Sequence, residues 1–222
     1  MEPFKTLEAP AISLGLANAD TDQIVPARFL KQPRSQGYGR FLLHDLRWDA
    51  NGAPRQNPVD RIGLAGAGVL IARRNFGCGS SREGAVYALM DSGIRCVVAP
   101  SFGDIFASNA VKNGLLPAEV SEVDGEALLA SEAVARGDPV RVDLLAQTIS
   151  VGNRVAPFAL DPVWKIQLLN GWDDLDLTLA EQSHIERFRA QDIRARPWAA
   201  PLGPEAAGSA TIAAPKRRRP RS

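Results

Sequence analysis

Short apolar runs and helical periodicities alternate along the first half of the chain. Residues 69–72 and 94–99 are apolar runs of the length expected for buried strands. Apolar positions spaced three and four residues apart follow each run, a spacing typical of one face of a helix. They are Ala85, Val86, Leu89 and Met90 after the first run, and Phe102, Ile105, Phe106 and Ala110 after the second. This succession of strand, helix, strand and helix predicts an α/β domain with parallel pairing.

The rest of the pattern extends this domain and predicts where it ends. We expect a further strand at 11–16, a surface helix at 122–135, an antiparallel meander at 140–144, 148–151 and 155–158, and helices at 161–169 and 179–189. The fold class is therefore α/β, a compact domain over residues 1–196 with a mixed, partly parallel β-sheet flanked by helices. Residues 197–222 are rich in Pro, Ala, Gly and Ser and end in the basic run KRRRPR, so we expect a disordered basic tail.

The segment between the first run and its helix carries the candidate chemistry. It reads NFGCGSSRE at residues 75–83. Gly77 and Gly79 allow backbone angles that other residues avoid, and Ser80 or Ser81 is expected to cap the helix. The N–H groups of a helix start, together with Arg82, suit an anion such as a carboxylate. From these residues alone a plain cap, a phosphate cradle and a catalytic site all remain open, although the segment has neither a P-loop ending nor a hydrolase elbow.

Two further polar features have a plain structural interpretation beside a functional one. Residues 18–22, NADTD, form a turn or helix cap in the plain interpretation, or they supply a carboxylate, Asp22, that supports a site. Residues 31–61 have little periodicity and predict a long loop. Arg34 in that loop is either a solvated surface charge or a ligand for a substrate.

Composition excludes several classes of protein. A formal net charge of +1 over 222 residues indicates no general attraction to nucleic acid or to a membrane surface. No apolar run approaches the ~20 residues that span a bilayer, and the start of the chain does not resemble a signal peptide. The 2 cysteines are too few for a disulfide framework or for the thiolates of an iron–sulfur cluster. A reducing cytoplasm is the simplest location.

Three ordered segments carry a family resemblance. They are NFGCGSSRE at 75–83, NADTDQIVP at 18–26, and APSFGDIF at 99–106, which runs on to NGLLP at 113–117. Together they resemble the small subunits of 3-isopropylmalate dehydratase, which are similar to the swivelling domain of aconitase. The resemblance extends over about residues 5–190.

The resemblance implies a hydro-lyase subunit of leucine biosynthesis that isomerises 2-isopropylmalate and 3-isopropylmalate by dehydration and rehydration. It implies that Ser80 is the base, that Ser81 and Arg82 bind substrate carboxylate, and that Asp22 orients a partner group. Arg34 would reach the substrate from a loop. The [4Fe-4S] cluster that assists departure of the hydroxyl is expected on a separate large subunit, with no cofactor or metal on this chain, and activity is expected only with that subunit.

One departure from the resembling sequences leaves alternatives open. Related proteins usually have His after the Ser-Ser-Arg-Glu motif, whereas this chain has Gly84. A paralogous small subunit acting on another 2-hydroxy diacid, such as methylmalate or a citrate homologue, therefore stays possible. A different class is a non-catalytic module whose basic tail binds RNA. A self-contained hydrolase built on Ser80 is weaker, because no His–Asp pair is placed to activate the hydroxyl.

Overall fold

The structure, a computed structural model, describes residues 1–55 and 66–199. Its contacts divide the chain into two units, Met1–Leu177 and Thr178–Ser222. The described strands are β1 (Thr6–Ala9), β2 (Ala11–Leu14), β3 (Val69–Ala72), β4 (Cys96–Ala99), β5 (Leu116–Glu119), β6 (Val140–Asp143), β7 (Thr148–Val151) and β8 (Arg154–Pro157). The described α-helices are α1 (Thr21–Ile24), α2 (His44–Arg47), α3 (Glu83–Asp91), α4 (Asp104–Lys112), α5 (Glu122–Leu129), α6 (Glu132–Arg136), α7 (Pro162–Asn170), α8 (Asp174–Ala180) and α9 (Gln182–Ala195).

The first unit contains two four-stranded sheets. The first sheet has the order β2-β3-β4-β5 with every pair parallel, and the second has the order β1-β6-β7-β8 with every pair antiparallel. The predicted α/β class and the parallel pairing are confirmed, as is the antiparallel meander near the end of the domain. The antiparallel strands form a sheet of their own.

The parallel sheet is buried on both faces, which explains why its strands are continuous apolar runs rather than alternating ones. In β3, Leu70 and Ala72 face one hydrophobic cluster, whereas Val69 and Ile71 face another. The first cluster includes the inner faces of α3 and α4 together with buried residues of segment 38–43. The second cluster joins the parallel sheet to the antiparallel one and to α5. Packing on both faces therefore holds the parallel sheet, and with it the connections at its edges, in place.

The connections that leave the carboxyl ends of three neighbouring strands contain the segments of interest. Helix α1 follows β2, α3 follows β3 and α4 follows β4. Because these strands are parallel and adjacent, the three connections meet at one edge of the sheet, where α/β proteins place ligands. A parallel bridge between Phe76 and Phe102 joins the second and third of these connections.

Two local predictions were wrong. The helix expected at 122–135 is two helices, α5 and α6, because the Ser131 hydroxyl accepts a 3.4 Å hydrogen bond from the N–H of Val134 and begins a new helix there. The described part of the loop expected at 31–61 contains short 3-10 turns, α2 and the buried residues Phe41, Leu42 and Leu43. That segment is packed on the first cluster.

The second unit contains α9 and a short 3-10 turn at Pro197–Ala199. The disordered basic tail predicted at 197–222 lies outside the described residues from position 200 onward, so it and the domain boundary at 196 stay predictions. Among the described helices, none has both the length and the apolar character needed to cross a membrane.

Candidate active site

Main-chain hydrogen bonds tie the three connections together at the carboxyl edge of the parallel sheet. The N–H of Gly77 donates to the oxygen of Ala19 at 2.8 Å, and the N–H of Gly103 donates to the oxygen of Phe76 at 2.9 Å. The segment 75–82, hereafter the bend, is thus held between the start of α1 on one side and the start of α4 on the other.

The bend uses its glycines because the backbone there is left-handed and closely packed. Gly77 has φ +72°, and a Cβ at this position would lie 2.2 Å from Cγ of the buried Phe106. Gly79 has φ +90°, and a Cβ there would make only an ordinary contact, 3.6 Å from Cβ of Asp20. Gly77 is therefore required both by its left-handed backbone and by the lack of space for a Cβ. Gly79 is required only by its left-handed backbone.

The predicted serine caps are not observed. Helix α3 begins at Glu83, and the residue before it is Arg82, with an extended backbone and no side-chain cap. Ser80 and Ser81 stand earlier in the bend and are exposed. The Ser101 hydroxyl, just before α4, accepts a 2.8 Å hydrogen bond from the N–H of Asn75. The serines are free for another role because the main chain enters α3 from an extended segment.

A cleft of about 210 Å³ lies at the bend. It is lined by Thr21 from α1, by residues 77–82 of the bend and by residues 103–106 at the start of α4. Ser80 and Ser81 are exposed, and the side chain of Arg82 is 18% exposed. Ser80, Ser81 and Arg82 therefore line the same opening, and their roles toward a substrate stay predictions.

Asp22 is connected to this cleft by its contact with Arg82, which lines the cleft. Its carboxylate forms an ion pair with the Arg82 guanidinium and also accepts a 3.2 Å hydrogen bond from the N–H of Ala27. The hydrogen bond from Arg82 is the main reason that the pKa of Asp22 falls below its usual 3.8, against a smaller effect of desolvation. Asp22 is thus placed to orient Arg82.

Arg34 is not brought to the cleft. Its guanidinium lies 3.9 Å from the centre of the Tyr87 ring and 3.3 Å from a carboxylate oxygen of Asp91. Tyr87 and Asp91 belong to the later turns of α3, whereas Arg82 precedes its first turn. The contact of Arg34 with a substrate stays a prediction, and here Arg34 fastens its own segment to α3.

Gly84, where the sequence departs from the resembling proteins, is covered by residues of the segment after α1. A Cβ at position 84 would lie 2.6 Å from Cδ2 of Leu30 and 3.3 Å from Cε1 of Tyr38. The Tyr38 hydroxyl donates to the main-chain oxygen of Gln32 at 2.8 Å, which fixes the ring in this place. Leu30 and Tyr38 therefore occupy the space that a side chain at position 84 would fill.

Two cleft residues were missed by the sequence reasoning. Thr21 is 3% exposed and its hydroxyl donates a 2.8 Å hydrogen bond to the main-chain oxygen of Ser80. Its position beside Asp22 in the polar turn was a signal, but its burial was not readable from the pattern. Asp104 is exposed at the start of α4 and lines the cleft. An acidic residue in the first turn of a helix is so common that it carries no functional signal.

The cysteines of this chain do not fit a [4Fe-4S] cluster. Such clusters are held by several thiolates, and the sequence has 2 cysteines. Cys96 lies on β4 with no exposed surface, and burial strongly raises the pKa of its thiol. Cys78 lies in the bend with its Sγ 3.5 Å from the main-chain oxygen of Asn18. The two thiols thus occupy different environments, and one of them is held in the protonated form.

The residues that a self-contained hydrolase would need are not at the cleft. His44 lies 3.0 Å from a carboxylate oxygen of its neighbour Asp45. Both residues belong to α2, and neither is among the residues that line the cleft. Among the described residues that line the cleft there is no histidine to act as a base for Ser80, in contrast to the arrangement that a serine hydrolase uses.

A parallel sheet with a serine- and arginine-bearing bend at its carboxyl edge defines a domain of the aconitase C-terminal class, and the aconitase C-terminal domain family matches residues 1–123. The chain also resembles curated proteins over most of its length. It is 44% identical over 201 residues to the 3-isopropylmalate dehydratase small subunit of Rhodospirillum centenum, covering 90% of this chain and 99% of that one.

The corresponding small subunit of Bacillus subtilis is 44% identical over 196 residues, covering 86% of this chain and 96% of that one. A crystal structure of 3-isopropylmalate dehydratase from Methanocaldococcus jannaschii superposes with a TM-score of 0.59 at 26% identity, covering 83% of this chain and 99% of that one. The chain belongs to the family of 3-isopropylmalate dehydratase small subunits.

Proposed function

We propose that this chain is the small subunit of a hydro-lyase that interconverts 2-isopropylmalate and 3-isopropylmalate in leucine biosynthesis. The observation that carries the proposal is the cleft at the bend, where the exposed Ser80 and the nearly buried Arg82 lie together. Membership in a family of dehydratase small subunits supplies the reaction, and the cleft supplies the groups that such a subunit can contribute.

The reaction removes a proton from a carbon next to a carboxylate and a hydroxyl from the neighbouring carbon. The electron pair of the broken carbon–hydrogen bond becomes the second bond of the alkene as the hydroxyl leaves, and the reverse addition places the hydroxyl on the other carbon. In our proposal Ser80 reacts as its alkoxide: the ionised oxygen accepts the proton, becomes a hydroxyl, and returns the proton in the reverse addition. Proton transfer by a positioned group contributes about 10²–10⁴ in rate.

Substrate carboxylate is bound by Arg82 and Ser81 in this proposal. A guanidinium matches a carboxylate two-pronged, and a charge-assisted hydrogen bond stabilises by roughly 1.5–3 kcal/mol. The same positive charge favours an ionised Ser80 oxygen. Because Ser80 precedes the first residue of α3 by three positions, the helix dipole adds little, since its effect is confined to the first turn.

The proposal assigns the departure of the hydroxyl to a partner. The resemblance to dehydratase small subunits implies a [4Fe-4S] cluster on a separate large subunit, and the 2 cysteines of this chain do not fit such a cluster. This chain then contributes binding and proton transfer, and the purified chain alone is expected to show no dehydratase turnover. Turnover by this chain alone, with iron removed by a chelator, would contradict that division of labour.

The deciding experiment is Ser80→Ala in the enzyme reconstituted from both subunits. We expect kcat to fall by about 10²-fold or more, as for loss of a positioned base. Ser150→Ala makes the same chemical change on β7 of the antiparallel sheet and is expected to leave kcat unchanged. Near-normal turnover of Ser80→Ala would remove Ser80 from the role of base.

A panel of candidate substrates tests which diacid the enzyme prefers. We propose isopropylmalate as the preferred substrate, with methylmalate and citrate homologues as the comparison. A kcat/KM for another branched malate more than about tenfold above that for isopropylmalate would reassign the chain to a paralogous activity. Both cysteines are free thiols, as is usual in a reducing compartment, which supports the cytoplasmic location that we propose.

A further inference from the structure

The buried hydroxyl of Thr21 lies beneath the part of the bend that carries Ser80. Its Oγ1 donates a 2.8 Å hydrogen bond to the main-chain oxygen of Ser80, 59 residues away in sequence. The main-chain N–H of Thr21 donates to the oxygen of Cys78 at 3.0 Å. One residue of α1 therefore holds two carbonyl groups of the bend.

This anchor matters because few other features fix the main chain at Ser80. Gly79, immediately before it, adopts φ +90° and has no side chain of its own to pack against its neighbours. Ser80 and Ser81 are both exposed, and α3 begins only at Glu83. A short segment between a glycine and a helix start takes its orientation from the hydrogen bonds made to its carbonyl groups.

The element that carries Thr21 is itself rigid. Asp20 and Gln23 form a reciprocal capping box at the start of α1, and the side chain of Ile24 is fully buried in the first hydrophobic cluster. Asp22, which follows Thr21 in the sequence, forms the ion pair with Arg82. A single turn of helix therefore orients both the hydroxyl-bearing and the guanidinium-bearing ends of the bend.

We propose that Thr21 is a positioning residue for Ser80. Through the Ser80 carbonyl, its hydroxyl sets where the Ser80 side chain points relative to the carbon that loses its proton. The inference rests on the proposed function, because that reaction gives Ser80 its role. A misplacement of about 1 Å in a reacting group can lower the rate by ~10²-fold, so a lost anchor is expected to affect kcat.

The test compares Thr21→Val, which keeps the shape and removes the hydroxyl, with Thr21→Ser, which keeps the hydroxyl, in the reconstituted two-subunit enzyme. We expect Thr21→Val to lower kcat by about 10–100-fold with KM changed by less than about threefold. Thr21→Ser is expected to stay within about threefold of the wild-type kcat. Thr148→Val makes the same change on β7 and is the matched control, and circular dichroism corrects each rate for the folded fraction.

Three kinetic results would overturn the inference while Ser80→Ala is inactive. They are a Thr21→Val enzyme with wild-type kcat, one in which only KM rises, and a Thr21→Ser enzyme as slow as Thr21→Val. The last result would assign the effect to packing of the methyl group. In all three cases the proposed function stands, because Ser80→Ala tests it separately.

A second measurement decides the inference even if Ser80→Ala proves active and the proposed function fails. Amide hydrogen exchange of residues 79–82 in the full-length chain reports directly on the bend. We expect exchange there to be at least about tenfold faster in Thr21→Val than in wild type, with Thr21→Ser close to wild type. Equal exchange in all three proteins would show that the Thr21 hydroxyl does not hold the bend.

Discussion

Asp22 and Arg82 form an ion pair across 60 residues of sequence. Asp22 belongs to α1, which follows β2, and Arg82 precedes α3, which follows β3. The pair therefore links two neighbouring connections at the carboxyl edge of the parallel sheet. The Arg82 side chain is 18% exposed and the Asp22 side chain is 53% exposed. The guanidinium is directed by a partner that itself remains open to solvent.

Removing the charge of Asp22 should impair substrate binding more than turnover. In Asp22→Asn the Arg82 guanidinium loses its directing partner, and we expect kcat/KM of the reconstituted enzyme to fall roughly tenfold, mainly through KM. The matched control is Asp45→Asn on α2, which breaks the ion pair of Asp45 with Arg28. It should change kcat/KM by less than about twofold, as for an exposed pair remote from the cleft. Equal KM values for Asp22→Asn and wild type would contradict the orienting role.

The Asp22 carboxyl should titrate below 3.8, its usual pKa, because Arg82 donates a hydrogen bond to the ionised form. A folded-state pKa below the unfolded one means that the pair stabilises the fold above about pH 3.8, and that this contribution disappears as pH falls through the lowered pKa. Carbon-13 NMR titration of the carboxyl groups measures the shift. In Arg82→Gln the Asp22 pKa is expected to return toward 3.8, whereas the pKa of Asp45, lowered to about 2 by Arg28, should not move.

Gly77→Ala should destabilise the fold by more than backbone strain alone. The new Cβ would lie 2.2 Å from Cγ of Phe106, at φ +72°. We expect the free energy of unfolding to fall by about 2–5 kcal/mol, the sum of left-handed strain and overpacking. Gly137 has φ +83° with no atom within 4 Å of its Cβ position, so Gly137→Ala should cost only about 1–2 kcal/mol. Urea denaturation of both variants tests this, and equal losses would rule out the contact with Phe106.

Enlarging residue 84 should loosen the segment that covers it. Alanine is expected to change the free energy of unfolding by less than about 1 kcal/mol, because the gain in helix propensity offsets a shift of the flexible Leu30 end. Histidine, the usual residue in resembling proteins, cannot be accommodated beside Tyr38 at its present position. In Gly84→His we expect faster amide exchange over residues 30–38 with α3 still protected. Unchanged exchange in that segment would show that the neighbouring side chains repack around the ring.

The parallel sheet was predictable because its signal is local. Val69–Ala72 forms β3 with the predicted bounds. Four consecutive apolar residues followed by a glycine-rich bend are compatible with few structures other than a buried strand. Ser80, Ser81 and Arg82 line the same cleft because they are consecutive residues of that bend. The partners of these residues were less readable. The Thr21 hydroxyl bond and the stacking of Arg34 on Tyr87 join residues 59 and 53 positions apart. Such contacts depend on how separate strands are placed side by side.

The separation in sequence of the pieces around the bend has a consequence for biosynthesis of the protein. The bend contacts Ala19 and Thr21 on one side and Gly103 and Phe106 on the other. A nascent chain therefore cannot assemble the cleft until residues beyond 106 have left the ribosome, when β4 can pair with β3. Because contacts between distant residues form late, the segment with Thr21 and Asp22, which is translated before the bend, lacks its partners throughout that time.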